Sequence, residues 1–256
     1  MASRHNEHET LRRALLRRLS WQQRLNDPVR TPGQGSPWLS RLRRWQQQRL
    51  RHSFSDLMAN PRTRPAAEFF LEDLYGDHDF SARDQDLARL LPLMSRLLPT
   101  PVLRAAVQAV ELNALSHAFD LKLAARLAHG TGTDPAGAEL DLDAYARAYR
   151  EAGCPRLRRH QIELIVEVGQ HLDWAVHKHG VERLLKLSRG PARLAGLHQL
   201  QSFLERGFGA FKRLDGADDF LERIARQELE VSRRLFAAHP RPLPPFDDGQ
   251  PNSSSR

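Results

Sequence analysis

The chain has 256 residues, of which 40% are hydrophobic, so it is long enough for one large domain with a sizeable core. Its single cysteine, Cys154, excludes an internal disulfide and is typical of a reducing compartment. The net charge is +8, and the N-terminus lacks the continuous apolar segment of a signal peptide, so we expect a cytoplasmic protein.

The positive charge is concentrated at the N-terminal end. Residues 1–64 contain 14 arginines, no lysine and four acidic residues, which gives a net charge of +10. The other 192 residues contain 25 basic and 27 acidic residues, which gives a net charge of −2. Such an asymmetry indicates an anionic partner for the N-terminal part.

Residues 1–60 are predicted to form a basic amphipathic helical hairpin. Leucines at positions 11, 15, 19 and 25 make one helical stripe, and Trp38, Leu42 and Trp45 begin a second. The segment between them is rich in proline and glycine, as is typical of a loop. The apolar seam of the hairpin must be covered by the hairpin itself, by the main domain, or by a second copy of the chain.

We expect the fold to be organised around a helix at residues 102–129. Apolar residues occur there at every angle of the helical wheel, and a helix that is apolar all round is buried in a larger body or in a membrane. Arg104, Glu111 and Lys122 interrupt the pattern and argue against a membrane span. This segment is therefore predicted to be the buried central helix of a helical domain.

The remaining patterns also predict helices, and no alternating pattern typical of strands occurs. The chain is therefore predicted to be an all-α multi-helix bundle at 65–238, followed by a disordered tail at 239–256 that is rich in proline and serine. The further helices are expected from Pro65 to Gly76, from Ser81 with a kink at Pro92, from Asp141 or Asp143 to Gly153, at 156–178, from Val181 to a stop at Arg189-Gly190-Pro191, from Leu194 to near Gly216, and at 217–238, with a loop at 130–137.

The segment Phe69-Phe70-Leu71-Glu72-Asp73-Leu74-Tyr75-Gly76 resembles the motif of a bacterial protein family named after Phe-Phe-Leu-Glu-Glu-Leu-Tyr. The likeness covers roughly 60–238 and includes the segments 111–117, 159–169, 190–196 and 203–208. Asp73 replaces the second glutamate of the motif, which shortens one carboxylate and keeps the helix. That family is a domain of unknown function, so the resemblance implies a bacterial protein and transfers no activity or catalytic residue.

Polar residues on the central helix and on the helix at 156–178 are candidates for a buried site. If the two helices are neighbours, carboxylates and imidazoles face one another, as they do in helix-bundle metal sites. The Glu-x-x-His spacing of those sites is missing here, and a hydrogen-bonded structural network is the simpler interpretation. No catalytic residue, metal or cofactor is therefore assigned. The candidates are Glu111, Asn113, His117, Asp120, Glu163, Glu167 and His171.

Arginines on the polar faces of the two N-terminal helices are candidates for binding an anionic partner. Together with Trp21, Trp38 and Trp45 they have the composition of a surface that contacts phosphates and stacks on bases. Trp38 and Trp45 are seven residues apart, however, which fits a helical seam better than a stacking platform, so nucleic-acid binding is not favoured. The candidates are Arg12, Arg13, Arg17, Arg18, Arg41, Arg43, Arg44, Arg49 and Arg51.

These patterns lead to three hypotheses about function. The leading one is a non-enzymatic interaction or scaffold protein whose hairpin engages an acidic partner or a second copy of the chain. The first alternative is a metal- or small-molecule-binding helical-bundle enzyme that uses the polar residues between the two buried helices. The second alternative is nucleic-acid binding through the arginine-rich N-terminus. Convergence of the polar candidates on a cavity would favour the enzyme, and saturated pairing would favour the scaffold.

Overall fold

The structure is a computed structural model, and it describes residues 2–74, 86, 90, 100–131 and 140–243. Within these ranges every regular element is helical, which confirms the all-α fold class. A 3-10 helix at Pro32–Gly35 precedes α2, and a π-helix at Phe69–Leu74 continues α4. The α-helices are α1 (Ala2–Asn26), α2 (Pro37–Ser53), α3 (Ser55–Ala59), α4 (Arg64–Glu68), α5 (Thr100–Thr131), α6 (Leu142–Ala152), α7 (Pro155–Val176), α8 (Val181–Leu194), α9 (His198–Lys212) and α10 (Asp218–Phe236).

Helix α5 occupies the centre of the fold, as predicted, because it packs against α1, α2, α6 and α7. Leu103, Ala114 and Leu123 on this helix have no exposed surface. The expectation that α5 is apolar all round and wholly buried was too strong, because two stretches of its surface are exposed. The exposed residues are Pro101, Val102, Arg104, Ala109, Lys122, Ala125, Arg126, His129 and Gly130.

Both N-terminal helices pack along α5 rather than mainly against each other. Leu15 and Leu19 of α1 form an apolar cluster with residues of the first half of α5. Trp38 and Leu42 of α2 belong to a second cluster with the C-terminal half of α5. The sequence left open whether the hairpin itself, the main domain or a second copy of the chain covers the apolar seam of the hairpin. In the structure, the main domain covers it. The division of the chain at residues 60–65 stays a prediction.

A further apolar cluster joins the π-helix to the C-terminal helices. Phe69 lies beside Phe203 of α9, with their ring centroids 5.3 Å apart, and it also approaches the backbone of Gly207. Phe54, at the end of α2, belongs to the same cluster, together with Phe220 of α10. Two of the segments that carry the family resemblance, 69–76 and 203–208, therefore pack against each other where they are described.

The turn between α6 and α7 follows the expected local chemistry. The carboxylate of Asp141 accepts a hydrogen bond from the backbone N–H of Ala144 at 2.7 Å and so caps α6. Gly153 has a φ of +68°, which favours glycine, and it ends the helix. Cys154 follows it, is exposed, and also has a positive φ. Cys154 is thus a free thiol exposed in the turn.

The predicted stop at Arg189-Gly190-Pro191 is wrong, because α8 continues through it to Leu194. Leu187, whose carbonyl loses its helical donor to Pro191, belongs to an exposed turn, so water can take the place of that donor. The chain instead turns at Gly196, where φ is +73°. Most of the expected helix from Ser81, most of the loop at 130–137, and the part of the tail beyond residue 243 lie outside the described residues.

Candidate functional site

The two acidic side chains of α5, Glu111 and Asp120, are paired with arginines from the two N-terminal helices. Arg18 of α1 contacts Glu111 at 2.6 Å, and His160 of α7 lies 3.4 Å from the same carboxylate. Arg43 of α2 contacts Asp120, with its Nε 3.4 Å from Oδ2. Glu111 and Asp120 of the predicted polar cluster thus pair with Arg18 and Arg43 of the predicted anion-binding surface, and the charges within each pair neutralise each other.

Arg43 also contacts His117, which is 7% exposed. Its Nη2 lies 2.7 Å from Nδ1 of the imidazole. A guanidinium nitrogen only donates hydrogen bonds, so Nδ1 of His117 accepts, and the ring is neutral with its proton on Nε2. This contact fixes the tautomer of a buried histidine and ties α2 to the middle of α5.

The other members of the predicted polar cluster lie elsewhere. The amide of Gln108 donates to the carboxylate of Glu167, which links α5 to α7. Nδ1 of His171 lies 2.7 Å from the backbone carbonyl of Glu167 in its own helix. Glu163 is exposed and Asn113 is half-buried. The seven residues therefore do not converge on one site, and the described part of the chain contains no group of three or more ligands that could hold a metal ion.

Arg49 of α2 and Glu228 of α10 form a buried ion pair. Both guanidinium Nη atoms donate to the two carboxylate oxygens. The side chains are only 9% and 14% exposed. Burial alone would lower the pKa of Arg49, but the charge and hydrogen bonds of Glu228 outweigh burial and raise that pKa above its ordinary value. Arg49 thus links α2, in the N-terminal part of the chain, to α10, the last described helix, inside the fold.

The remaining arginine candidates lie nearer the surface. Arg12 and Arg13 donate to Glu9, and these hydrogen bonds lower the pKa of that carboxyl. Arg51 pairs with Glu72 at 2.8 Å, and Arg41 lies over the ring of Trp38. Arg17 and Arg44 are exposed. The arginines of the N-terminal part are thus divided between the interior of the fold and its outer surface.

A small polar cavity lies between α2, α5, α6, α7 and α10. Its volume is about 50 Å³, room for about three to five water-sized groups. Asp120 is the one member of the predicted polar cluster that lines it among the described residues. The other polar residues of the lining are Gln46, Arg49, Ser116, Tyr145, Tyr149, Arg158, Gln161, Glu228 and Ser232.

Arg158 of α7 is the charged centre of this cavity, and it was not singled out from the sequence. It is 9% exposed, and Cζ of its guanidinium lies 3.7 Å from the ring centroid of Phe119 and 4.8 Å from that of Tyr149. Its Nη1 donates to Gln161 at 2.8 Å, and the amide of Gln161 donates to Ser116 at 2.8 Å. Arg158 lies four residues before Ile162 on the apolar stripe of α7, and that position is the signal by which it could have been found.

Tyr149 of α6 completes the lining on the side of α10. Its hydroxyl donates to Oγ of Ser232 at 2.9 Å in the interior. Burial of the phenol raises the pKa of Tyr149 to about 12, because the phenolate would lose its hydration. The hydroxyl is therefore a neutral hydrogen-bonding group at ordinary pH.

Comparison with known proteins supports the family assignment and gives no function. A family model described as a domain of unknown function (DUF8198) matches residues 25–242. Neither the curated proteins nor the solved structures gave a match.

Proposed function

The chain belongs to DUF8198, a family described as a domain of unknown function, and we propose that it is a non-enzymatic interaction protein that binds an acidic partner protein. The observation that supports this proposal is a row of exposed arginines on α1. Arg13, Arg17 and Arg24 lie within about 40° of one another on the helical wheel and extend over about 16 Å. Arg13 leaves 73% of its side chain exposed, and Arg17 and Arg24 are also exposed.

The acidic residues of the N-terminal part are already occupied by ion pairs within the chain. Each of the four acidic residues in the N-terminal part already contacts an arginine: Glu7 with Arg104, Glu9 with Arg12 and Arg13, Asp27 with Arg30, and Asp56 with Arg223. Arg18, Arg43 and Arg49 are paired with carboxylates inside the fold, so the positive charge at the surface of this part lies on exposed arginines such as Arg17 and Arg24. Such a surface attracts acidic partners and speeds their association.

The pairing of the α5 polar residues also favours an interaction protein over an enzyme. Glu111 and Asp120 are occupied by Arg18 and Arg43, as a structural network requires. Only Asp120 of the predicted polar set lines the cavity among the described residues. We further propose that the protein acts in the cytoplasm of a bacterial cell, where its exposed Cys154 would stay reduced.

The proposal is tested with the full chain, because deleting residues 1–60 would expose the apolar core that Leu15, Trp38 and Leu42 enter. The double variant Arg17→Glu/Arg24→Glu reverses two charges of the arginine row. The matched control, Arg156→Glu/Arg159→Glu, makes the same change in net charge on the exposed side of α7. Binding of a labelled polyglutamate peptide is followed by fluorescence anisotropy at low and physiological salt.

We expect the variant of the arginine row to bind the acidic peptide about tenfold more weakly than wild type, with the control unchanged. Equal weakening in both double variants would show that net charge alone is responsible, and would contradict the proposal. Tighter binding to duplex DNA than to the peptide, with a steep dependence on salt, would favour the nucleic-acid alternative. A sedimentation coefficient that rises with protein concentration would favour self-association.

A further inference from the structure

Arg158 is a buried cation without a carboxylate among the described residues. Its contacts are the amide oxygen of Gln161 and the rings of Phe119 and Tyr149. Removing a guanidinium from water without a counterion is costly, and aromatic rings offset only part of that cost. Among the described residues, the positive charge of Arg158 is therefore not balanced by a neighbouring negative charge.

The carboxylates that line the same cavity are already neutralised. Both oxygens of Glu228 accept hydrogen bonds from Arg49, and Asp120 is paired with Arg43. These two pairs contribute no net charge to the cavity. The positive charge of Arg158 is the excess that remains.

The guanidinium of Arg158 also has unused donors. Only Nη1 makes a hydrogen bond, and Nε is buried without a partner among the described residues. Nε of Arg49, which lines the same cavity, is in the same state. Contacts with aromatic rings use the faces of a guanidinium, so its in-plane N–H groups stay available to an acceptor.

From this excess charge and these donors we infer that the cavity binds a small oxyanion against Arg158. A volume of about 50 Å³ holds about three to five water-sized groups, which suits a group such as acetate or inorganic phosphate. Ser116, Ser232 and the hydroxyl of Tyr149 supply neutral polar groups around it. The ligand is thus an anion, whether a small carboxylate or a phosphate, and the site is independent of the arginine row on α1.

The first test is thermal unfolding of the full chain at constant ionic strength and near-neutral pH. Sodium gluconate, whose anion exceeds the cavity, is replaced stepwise by sodium acetate or by sodium phosphate in separate series. We expect Tm to rise with the logarithm of anion concentration, by about 5 °C at a hundredfold excess over Kd, with at least one of them, because ligand that binds only the folded state stabilises it. The anion that begins to raise Tm at the lower concentration is the tighter ligand, which distinguishes the carboxylate from the phosphate.

The second test uses Arg158→Met, which keeps the length of the side chain and removes its charge. The matched control is Arg159→Met, one position away on the exposed side of α7. We expect the anion-dependent rise in Tm to be lost in Arg158→Met and kept in Arg159→Met. A rise that persists in Arg158→Met would overturn the inference.

A third measurement follows the wild-type chain directly and needs a variant only to assign one signal. The Nε–H signals of arginine side chains are recorded by ¹H–¹⁵N NMR of the wild-type chain, and Arg158→Lys identifies the signal of Arg158. Titration with the stabilising anion should shift that signal along a saturable curve, and its midpoint should give the Kd that the rise in Tm requires. An Arg158 signal that does not move, or a Tm that is equal in all three salts, would contradict the site.

Discussion

Arg49 in α2 and Glu228 in α10 are 179 residues apart in the chain, and they form the least exposed ion pair among the described residues. Both carboxylate oxygens accept hydrogen bonds from the guanidinium. Two charges taken out of water are stable together only while each satisfies the other. The pair therefore couples the N-terminal part of the chain to its last helix.

Removing one member of this pair should lower the free energy of unfolding much more than removing both members does. Arg49→Met or Glu228→Gln alone should lower the free energy of unfolding by about 3–5 kcal/mol, because the remaining group is buried without its partner. The double variant should lose less than the sum of the two single losses. Urea unfolding of the four proteins gives the coupling energy, and strictly additive losses would show that the pair does not form.

The fold should lose stability in alkaline solution through Tyr149. Its pKa is raised to about 12 in the folded state by burial, while the unfolded chain ionises near its ordinary value of about 10. The unfolded state therefore loses the proton first as pH rises. The contribution is complete below about pH 10 and is lost towards about pH 12, a total of about 2–3 kcal/mol.

Urea midpoints measured at about pH 9 and about pH 11 test this alkaline effect in wild type and in Tyr149→Phe. The phenylalanine variant has no proton to lose at this position, so its stability should fall less over the same interval. An equal fall in both proteins would assign the effect to other groups. The phenolate absorbance of the folded wild-type chain gives an independent titration of the buried tyrosine.

Alanine substitutions at Gly207 and Gly209 of α9 should change the stability of the fold in opposite directions. A Cβ at Gly207 would lie 2.7 Å from Cζ of the buried Phe69, whereas a Cβ at Gly209 meets nothing within 4 Å. Gly207→Ala should cost about 1–3 kcal/mol of stability because the ring must move. Gly209→Ala should stabilise α9 by up to about 1 kcal/mol through helix propensity. Thermal unfolding of both variants provides the comparison, and equal effects would exclude the close contact with Phe69.

Leu42 tests whether α2 belongs to the core. It has no exposed surface and packs in the cluster that includes the C-terminal half of α5. Leu42→Ala should lower the free energy of unfolding by about 2–5 kcal/mol in a single transition. Leu157→Ala, at a position that is 49% exposed, should cost less than about 1 kcal/mol and serves as the control. A variant in which α2 unfolds separately, with the rest unchanged, would contradict this packing.

Much of the fold could be predicted from periodicity alone. The spacing of apolar residues predicted α5 and its central position, and the residue types around Asp141 and Gly153 predicted the ends of α6. The stop at Pro191 was wrong because proline loses only one helical hydrogen bond, and an exposed turn tolerates that loss. Rules based on neighbouring residues in the sequence do not account for how exposed a helical turn is to water.

The pairing of the site residues could not be predicted. Arg18 and Glu111 are 93 residues apart, and Arg43 and Asp120 are 77 apart. Helical spacing shows which face carries a charge but not which helix lies opposite. The arginines of α1 and α2 were therefore interpreted as a solvent-facing surface, although some of them neutralise the polar residues of α5. Arg158 was missed for a related reason, since an arginine is ordinarily assigned to the solvated face.

Hydrogen exchange of the full chain tests most directly the claim that α1 and α2 are part of the core. The amides around Leu15 and Leu42 should be protected with free energies of opening close to those around Leu123 in α5, because these helices share apolar clusters and ion pairs with it. Rapid exchange throughout α1 and α2, with strong protection kept in α5, would show an arm that detaches from the domain and would contradict the account.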